Sequence, residues 1–114
     1  MKTMTLLCNG RVLASRVRLA DSFFSRFKGL MGRKNLDNGE GLLLKRCSSV
    51  HSFFMKIPID VVYLSMGMTV LNVETLKPWR VGSLVRGAVQ VLELEAGAAC
   101  VEPGDLLELA ETGL

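Results

Sequence analysis

The fold is decided first by the segment Met4-Thr5-Leu6-Leu7-Cys8-Asn9-Gly10-Arg11-Val12-Leu13-Ala14-Ser15. An Asn-Gly pair between two apolar runs supplies the two residues of positive φ that a type I′ turn requires. The segment therefore predicts a tight β-hairpin around Asn9-Gly10. The second strand is expected to continue to Leu19, because Val17 and Leu19 alternate with Arg16 and Arg18, the period of a strand with one buried face.

A helix is predicted after this hairpin, over residues 21–32. Asp21 or Ser22 at its start and Gly32 at its end are typical cap residues. One apolar stripe recurs at helical spacing, made of Phe23, Phe24, Phe27, Leu30 and Met31. Further strands are predicted at Gly41 to Lys45, Phe53 to Met55, Ile59 to Ser65, Thr69 to Leu76, Ala88 to Leu94 and Leu106 to Ala110. The strands Ile59 to Ser65 and Thr69 to Leu76 are expected to form a second hairpin across residues 66–68. Seven or eight short strands and one principal helix predict an α+β domain, predominantly β, with an antiparallel barrel-like sheet.

Length and composition fit one globular domain, residues 1–114. The chain has 114 residues, a length too short for two independent cores. Hydrophobic residues make up 49% of it, which indicates a globular protein. Its most apolar region, residues 57–71, contains Asp60 and Gly67 and is too short to span a membrane. Residues 1–60 hold 11 basic and 4 acidic side chains, whereas residues 61–114 hold 3 and 7. The basic half suggests an anionic partner, but we favour the alternative that its cations are the solvated faces of amphipathic elements. No aromatic residues interleave with them, so nucleic acid is not favoured.

The cysteines and the single histidine do not form a recognisable metal site. Cys8, Cys47 and Cys100 lie far apart, and His51 is the one histidine, so neither a metal nor another cofactor is expected. An odd number of cysteines fits a reducing compartment and predicts free thiols. Cys47 precedes His51 by four residues, but this spacing alone is weak evidence for a catalytic nucleophile.

Acidic residues stand in two stretches that otherwise have the pattern of a core. Asp60 alternates with apolar residues of a predicted strand, and a buried carboxylate is costly unless it is paired or hydrogen-bonded. His51, Lys56 or the Ser52 hydroxyl could supply a partner. The structural alternative is a bend in which backbone N–H groups of the turn at residues 56–58 donate to Asp60, and among the side chains we expect His51. Glu93 and Glu95 share one side of a later strand, the pattern either of a solvated face or of a functional acid.

Several of these segments follow one another in the order of a known family. They are Gly29 to Arg33, Gly41 to Leu44, His51 to Lys56, Pro58 to Leu64, Val91 to Gly97 and Gly104-Asp105. With them the chain resembles, over nearly its whole length, the prokaryotic family called domain of unknown function 192. The resemblance implies a compact β-rich single domain and no assigned activity. Many members carry an N-terminal signal or anchor, which this sequence does not display, so we expect a cytoplasmic protein.

Three classes of function stay open. The favoured one is a binding module for a small ligand or peptide, because the family-matching residues combine apolar walls with a few polar groups. Its candidate ligand-binding residues are His51, Ser52, Met55, Lys56, Asp60, Arg33 and Glu93. The second is an acid–base enzyme that uses His51 with Asp60 or Glu93, although no nucleophile elbow, phosphate loop or metal-ligand cluster supports an enzyme. The third is a structural or assembly protein with a basic N-terminal face.

Overall fold

The computed structural model describes residues 3–20, 36, 38–53 and 55–111. These residues form seven strands, β1 (Thr3–Cys8), β2 (Arg11–Ala20), β3 (Glu40–Lys45), β4 (Ile59–Leu64), β5 (Val70–Leu76), β6 (Gln90–Glu95) and β7 (Leu107–Glu111). All seven belong to one sheet, in the order β5-β4-β6-β3-β2-β1-β7. The described chain is therefore predominantly β. The predicted helix at residues 21–32, with its stripe of phenylalanines, lies outside the described residues.

The predicted hairpins are confirmed. Strands β1 and β2 pair antiparallel, and Cys8 lies opposite Arg11 across the turn. Asn9 has a φ of 53° and Gly10 a φ of 77°, the left-handed values of a type I′ turn. Strands β4 and β5 form the second predicted hairpin. Both hairpins join strands that are adjacent in sequence, and turn residues together with apolar–polar alternation are sufficient to predict such pairs.

Three features of the predicted architecture are wrong. Strand β3 runs parallel to β2, so the sheet is mixed, and its edge strands β5 and β7 do not close it into a barrel. Backbone hydrogen bonds do join the beginnings of these edge strands, from Val70 to Asp105 and from Leu107 to Met68. The predicted strand at Phe53 to Met55 is absent at Phe53 and Met55, because the Met55 N–H turns back to the carbonyl of Ser52; Phe54 lies outside the described residues.

The sheet carries a hydrophobic core on each face. The first core contains Ala20, Leu36, Leu42, Leu44, Val50, Met55, Ile59, Val61, Tyr63, Leu76, Ala88 and Val91. The second contains Leu6, Ala14, Val17, Leu43, Val62, Leu64, Val70, Leu92, Leu94 and Leu107. Every residue of β4 is buried, and consecutive residues of a strand point to opposite faces. Neighbours in sequence on β4 and β6 therefore belong to different cores.

Candidate functional site

Two loops next to the first core pair with each other. The first loop, residues 46–58, connects β3 to β4, and the second loop, residues 77–89, connects β5 to β6. His51 and Val81 form an isolated antiparallel bridge. The Ser52 N–H donates to the carbonyl of Arg80 at 2.7 Å, and the Gly82 N–H donates to the carbonyl of Val50 at 2.9 Å. These bonds hold the two loops side by side.

Ser52 is the residue that fixes this pairing. It is completely buried, and its Oγ donates to the carbonyl of Lys77 at 2.5 Å and accepts from the Arg80 N–H at 2.7 Å. Its carbonyl accepts from the N–H groups of Met55 and Trp79. One small hydroxyl thus satisfies backbone groups of the second loop that would otherwise be buried without partners. Ser52 positions the site and is not itself open to a ligand.

Three aromatic rings are stacked where the two loops meet, and we call them the ring stack: His51, Phe53 and Trp79. The centroids of His51 and Phe53 are 4.6 Å apart, and those of Phe53 and Trp79 are 5.7 Å apart. His51 Nδ1 accepts a hydrogen bond from the Phe53 N–H. Trp79 is 54% exposed and has a φ of 63°, which is unusual for a bulky residue. The fold therefore holds a large aromatic side chain in solvent in a strained conformation, as functional sites often do.

A hydrogen-bond network attaches the second loop to the sheet. The Tyr63 hydroxyl donates to Glu74 Oε2 at 2.5 Å, and the same carboxylate accepts from the N–H and hydroxyl of Ser83. Burial and the Glu74 hydrogen bond raise the pKa of Tyr63. Burial alone would raise the pKa of Glu74, but the bonds from Tyr63 and Ser83 outweigh it and lower that pKa. Gly82 lies against Tyr63, where a Cβ would overlap the hydroxyl oxygen.

The charge of the two loops is entirely positive. Neither loop contains Asp or Glu, and together they contain five basic residues: Arg46, Lys56, Lys77, Arg80 and Arg86. Lys56, Lys77 and Arg80 are exposed. Lys77 and Arg80 flank Trp79 in sequence, and an excess of cations beside exposed aromatic rings favours an anionic ligand.

Asp60 lies apart from this site, and the predicted His51–Asp60 pair is wrong. Asp60 points to the second core, whereas Val50 and Met55, on either side of the ring stack in sequence, belong to the first. Its carboxylate accepts from the Thr75 hydroxyl at 2.6 Å and from the N–H groups of Gly97 and Ala99 at 2.9 and 3.1 Å. The structural interpretation was right in kind, since backbone N–H groups satisfy this acid, but they come from residues 97–99.

Glu93 is a separate buried acid. It is 6% exposed and lies between Leu42 and Val61 of the neighbouring strands, on the face of the first core. No hydrogen bond or ion pair to its carboxyl is found within the described part of the chain. Burial raises the pKa of Glu93 to about 7. The solvated face expected for Glu93 and Glu95 is therefore correct for Glu95, which is exposed, and wrong for Glu93.

Two clefts lie elsewhere, beside the β1–β2 hairpin. One has a volume of about 510 Å³ and is lined by Cys8, Asn9, Arg11, Val12, Leu13, Ala99, Cys100, Val101, Glu102 and Asp105. A smaller one of about 240 Å³ shares Val12, Leu13 and Cys100 with it. Burial is the main cause that raises the pKa of Cys8, followed by the Asp105 charge. None of the predicted ligand-binding residues lines either cleft, and Asp60 contributes indirectly by holding residues 97–99.

The structure thus brings together part of the predicted set. His51, Ser52, Met55 and Lys56 belong to the first loop, with Met55 buried and Lys56 exposed, whereas Asp60 and Glu93 lie on opposite faces of the sheet and Arg33 lies outside the described residues. All three cysteines are free thiols, as predicted. No group of three metal-ligating side chains is found among the described residues. No helix in the described ranges is long and apolar enough to cross a bilayer.

Sequence reasoning missed the second loop. The one tryptophan of the chain stands in this loop, at residue 79. A large apolar residue directly after Pro78 was the available signal, because turn positions usually carry small or polar residues. Nothing in the local sequence indicates that Tyr63 and Glu74 meet Ser83.

Sequence comparison finds one family and several relatives. The model of the DUF192 family, described as "Uncharacterized ACR", matches residues 4–109. A UPF0127 protein of Pyrococcus furiosus is 38% identical over 92% of this chain and 96% of its own length. Another, from Thermococcus kodakarensis, is 34% identical over 90% of this chain and 70% of its own length.

Two solved structures share the architecture. A protein of unknown function from Novosphingobium aromaticivorans matches with a TM-score of 0.79 and 25% identity, over 93% of this chain and 83% of the other. A putative transcription regulator from Sinorhizobium meliloti matches with a TM-score of 0.75 and 24% identity, over 95% and 92%. These two likenesses support the fold and show no specific function. On the match over residues 4–109, the chain belongs to the DUF192 family.

Proposed function

We propose that this protein is a binding module whose ligand sits on the surface formed by the two paired loops. We call this the binding surface: the ring stack together with Val81, Leu84, Lys56, Lys77 and Arg80. The observation that carries the proposal is the ring stack itself, whose Trp79 is held half-exposed at a positive φ. Unexplained strain at an exposed aromatic residue is typical of a site whose function requires that geometry.

The acid–base hypothesis gains no support from the site. General acid–base catalysis by His51 needs a second group within hydrogen-bond reach of a shared substrate. Asp60 is turned to the other face of the sheet, and its oxygens are occupied by Thr75, Gly97 and Ala99. Glu93 makes no bond to His51. A binding role uses the residues that the structure does bring together.

The compartment we infer for this function is the cytoplasm. All three cysteines are free, and unpaired thiols are the rule where glutathione and thioredoxin keep cysteines reduced. The absence of a disulfide framework in so small a domain supports this assignment.

Two residues of the binding surface can be used as spectroscopic probes of ligand binding. Trp79 is the one tryptophan and His51 the one histidine of the chain, so Trp79 fluorescence and the His51 imidazole NMR signals both report on this surface. We expect a screen of metabolites and peptides to yield a ligand that changes both. Phe53→Ala should abolish the response, because Phe53 lies between the other two rings.

The matched control is Val12→Ala, which truncates an exposed apolar residue in the cleft beside the hairpin. It should leave the response unchanged. A ligand that binds wild type and Phe53→Ala equally well, but is lost in Val12→Ala, would place the site in that cleft and overturn the proposal.

A further inference from the structure

We propose that the ligand of the binding surface is an extended, acidic peptide segment of another protein. This inference rests on the proposed function, since it names the ligand class for the same surface. Three independent features of the two loops agree on it: unpaired positive charge, exposed aliphatic side chains and open backbone groups.

The charge requires an anionic partner. The two loops carry five basic and no acidic residues. Lys56, Lys77 and Arg80 form no ion pair within the described residues, and the Arg80 guanidinium donates to the carbonyl of Trp79 at 3.4 Å. Exposed, unpaired cations on two paired loops are complementary to a partner with several carboxylates or phosphates and increase the rate of its association.

Exposed aliphatic residues distinguish a peptide from a nucleic acid. Val81 is 68% exposed and Leu84 is 89% exposed, close in sequence to Trp79 on the second loop. A single-stranded nucleic acid would use aromatic rings and cations, but its phosphates would gain nothing from these aliphatic side chains. Apolar side chains of a peptide would cover them and Trp79 together, as in the centre of protein–protein interfaces.

The outer backbone edge of the paired loops has groups that a further strand could bind. His51 and Val81 are a non-hydrogen-bonded antiparallel pair, because the flanking Ser52 and Gly82 make the ladder bonds. The N–H and C=O of each residue therefore point outward, and within the described residues they have no hydrogen-bond partner. A peptide strand can add two hydrogen bonds at Val81. Since successive side chains of a strand alternate, its apolar residues would lie on the side of Val81 and its acids on the opposite side, that of Arg80.

Selection from a random octapeptide display library tests this inference. Wild type should enrich peptides that alternate acidic and apolar residues. The double variant Lys77→Glu with Arg80→Glu should not enrich them, whereas Arg11→Glu, a charge reversal in the other cleft, should behave as wild type. Leu84→Ala, at a residue 89% exposed, is a second variant that should weaken binding without reversing a charge. Circular dichroism and urea unfolding establish that each variant is folded.

A fluorescein-labelled copy of the most enriched peptide then tests the binding mode by anisotropy. Methylation of alternate backbone nitrogens of the peptide should weaken binding about tenfold, because it removes the strand hydrogen bonds. Added NaCl should also weaken it, since the cations are exposed. Equal binding of the methylated peptide, equal enrichment by the double variant, or tighter binding of a labelled oligothymidine strand than of any peptide would each overturn the inference.

The two proposals fail separately. If no peptide is enriched while a small molecule changes Trp79 fluorescence in wild type and not in Phe53→Ala, the binding module stands and the peptide inference is wrong. If neither peptides nor metabolites change the signals of Trp79 and His51, both proposals are wrong.

Discussion

At the scale of single residues, Glu93 is a buried carboxylic acid, and its ionised form destabilises the fold. It is surrounded by first-core residues, and no partner for it is found in the described ranges, so its charged form is opposed by desolvation. The sequence predicts that Glu93 shares a face with apolar residues, but not how deeply it is buried. Depth depends on β3 and β4, which flank it in the sheet and come from distant parts of the chain.

The free energy of unfolding should therefore depend on pH through Glu93. Its folded pKa of about 7 lies above the ordinary value of about 4.3 for an unfolded glutamate. The unfolded state binds fewer protons between these values, so stability falls as the pH rises from about 4 to about 7 and is constant above that. Glu93→Gln should abolish this decrease and be about 2–4 kcal/mol more stable than wild type at pH 8. Urea unfolding across this pH range measures both effects, and identical pH profiles for the two proteins would contradict the assignment.

Gly82 makes a second prediction at this scale. A Cβ there would overlap Tyr63 Oη and lie 2.9 Å from Val50 Cγ2. Tyr63 has no room to withdraw, because it is fully buried and held by Glu74. Gly82→Ala should cost about 1–3 kcal/mol, as overpacked sites do. Gly67→Ala is the matched control, since its Cβ would meet open space; equal denaturant midpoints for the two variants would mean that the loop adjusts freely.

At the scale of elements, the two loops depend on Ser52. Its hydroxyl bonds to the partly buried backbone groups of Lys77 and Arg80, and Ser52→Ala removes that partner from both. We expect a loss of about 1–3 kcal/mol and a change in Trp79 emission, because Trp79 also bonds to the Ser52 carbonyl. Ser48→Ala, in the same loop but exposed, should change neither. An unaltered Trp79 spectrum in folded Ser52→Ala would show that the pairing of the loops does not need the hydroxyl.

Elements closed by short turns could be predicted, and those assembled from distant segments could not. Asn9-Gly10 determines its own hairpin, because the turn geometry is encoded in adjacent residues. The parallel β2–β3 pair depends on a crossover through residues 21–39, and no local pattern distinguishes it from an antiparallel pair. The same limit explains the site: the first-loop residues His51 to Lys56 are neighbours in sequence, whereas Asp60 meets Gly97 and Ala99 across the fold.

At the scale of the whole molecule, the two cores separate stability from binding. The central strands are buried on both faces, so their side chains contribute to folding. Apolar residues of the second loop are exposed instead, and it is these that we propose a partner covers. Leu92 on β6 is fully buried in the second core, and Leu84 on the second loop is 89% exposed. Both are leucines, so truncation to alanine removes the same atoms from opposite environments.

Leu92→Ala should lower the free energy of unfolding by about 2–5 kcal/mol, because it removes buried methyl groups and leaves a cavity in a packed core. Leu84→Ala should leave it within about 0.5 kcal/mol of wild type, and weaken the response of Trp79 to a bound ligand. Urea unfolding measures the first quantity and Trp79 fluorescence titration the second. A loss of stability in Leu84→Ala comparable to that in Leu92→Ala would mean that the second loop is part of the folding core. Its exposed apolar residues would then no longer argue for a partner.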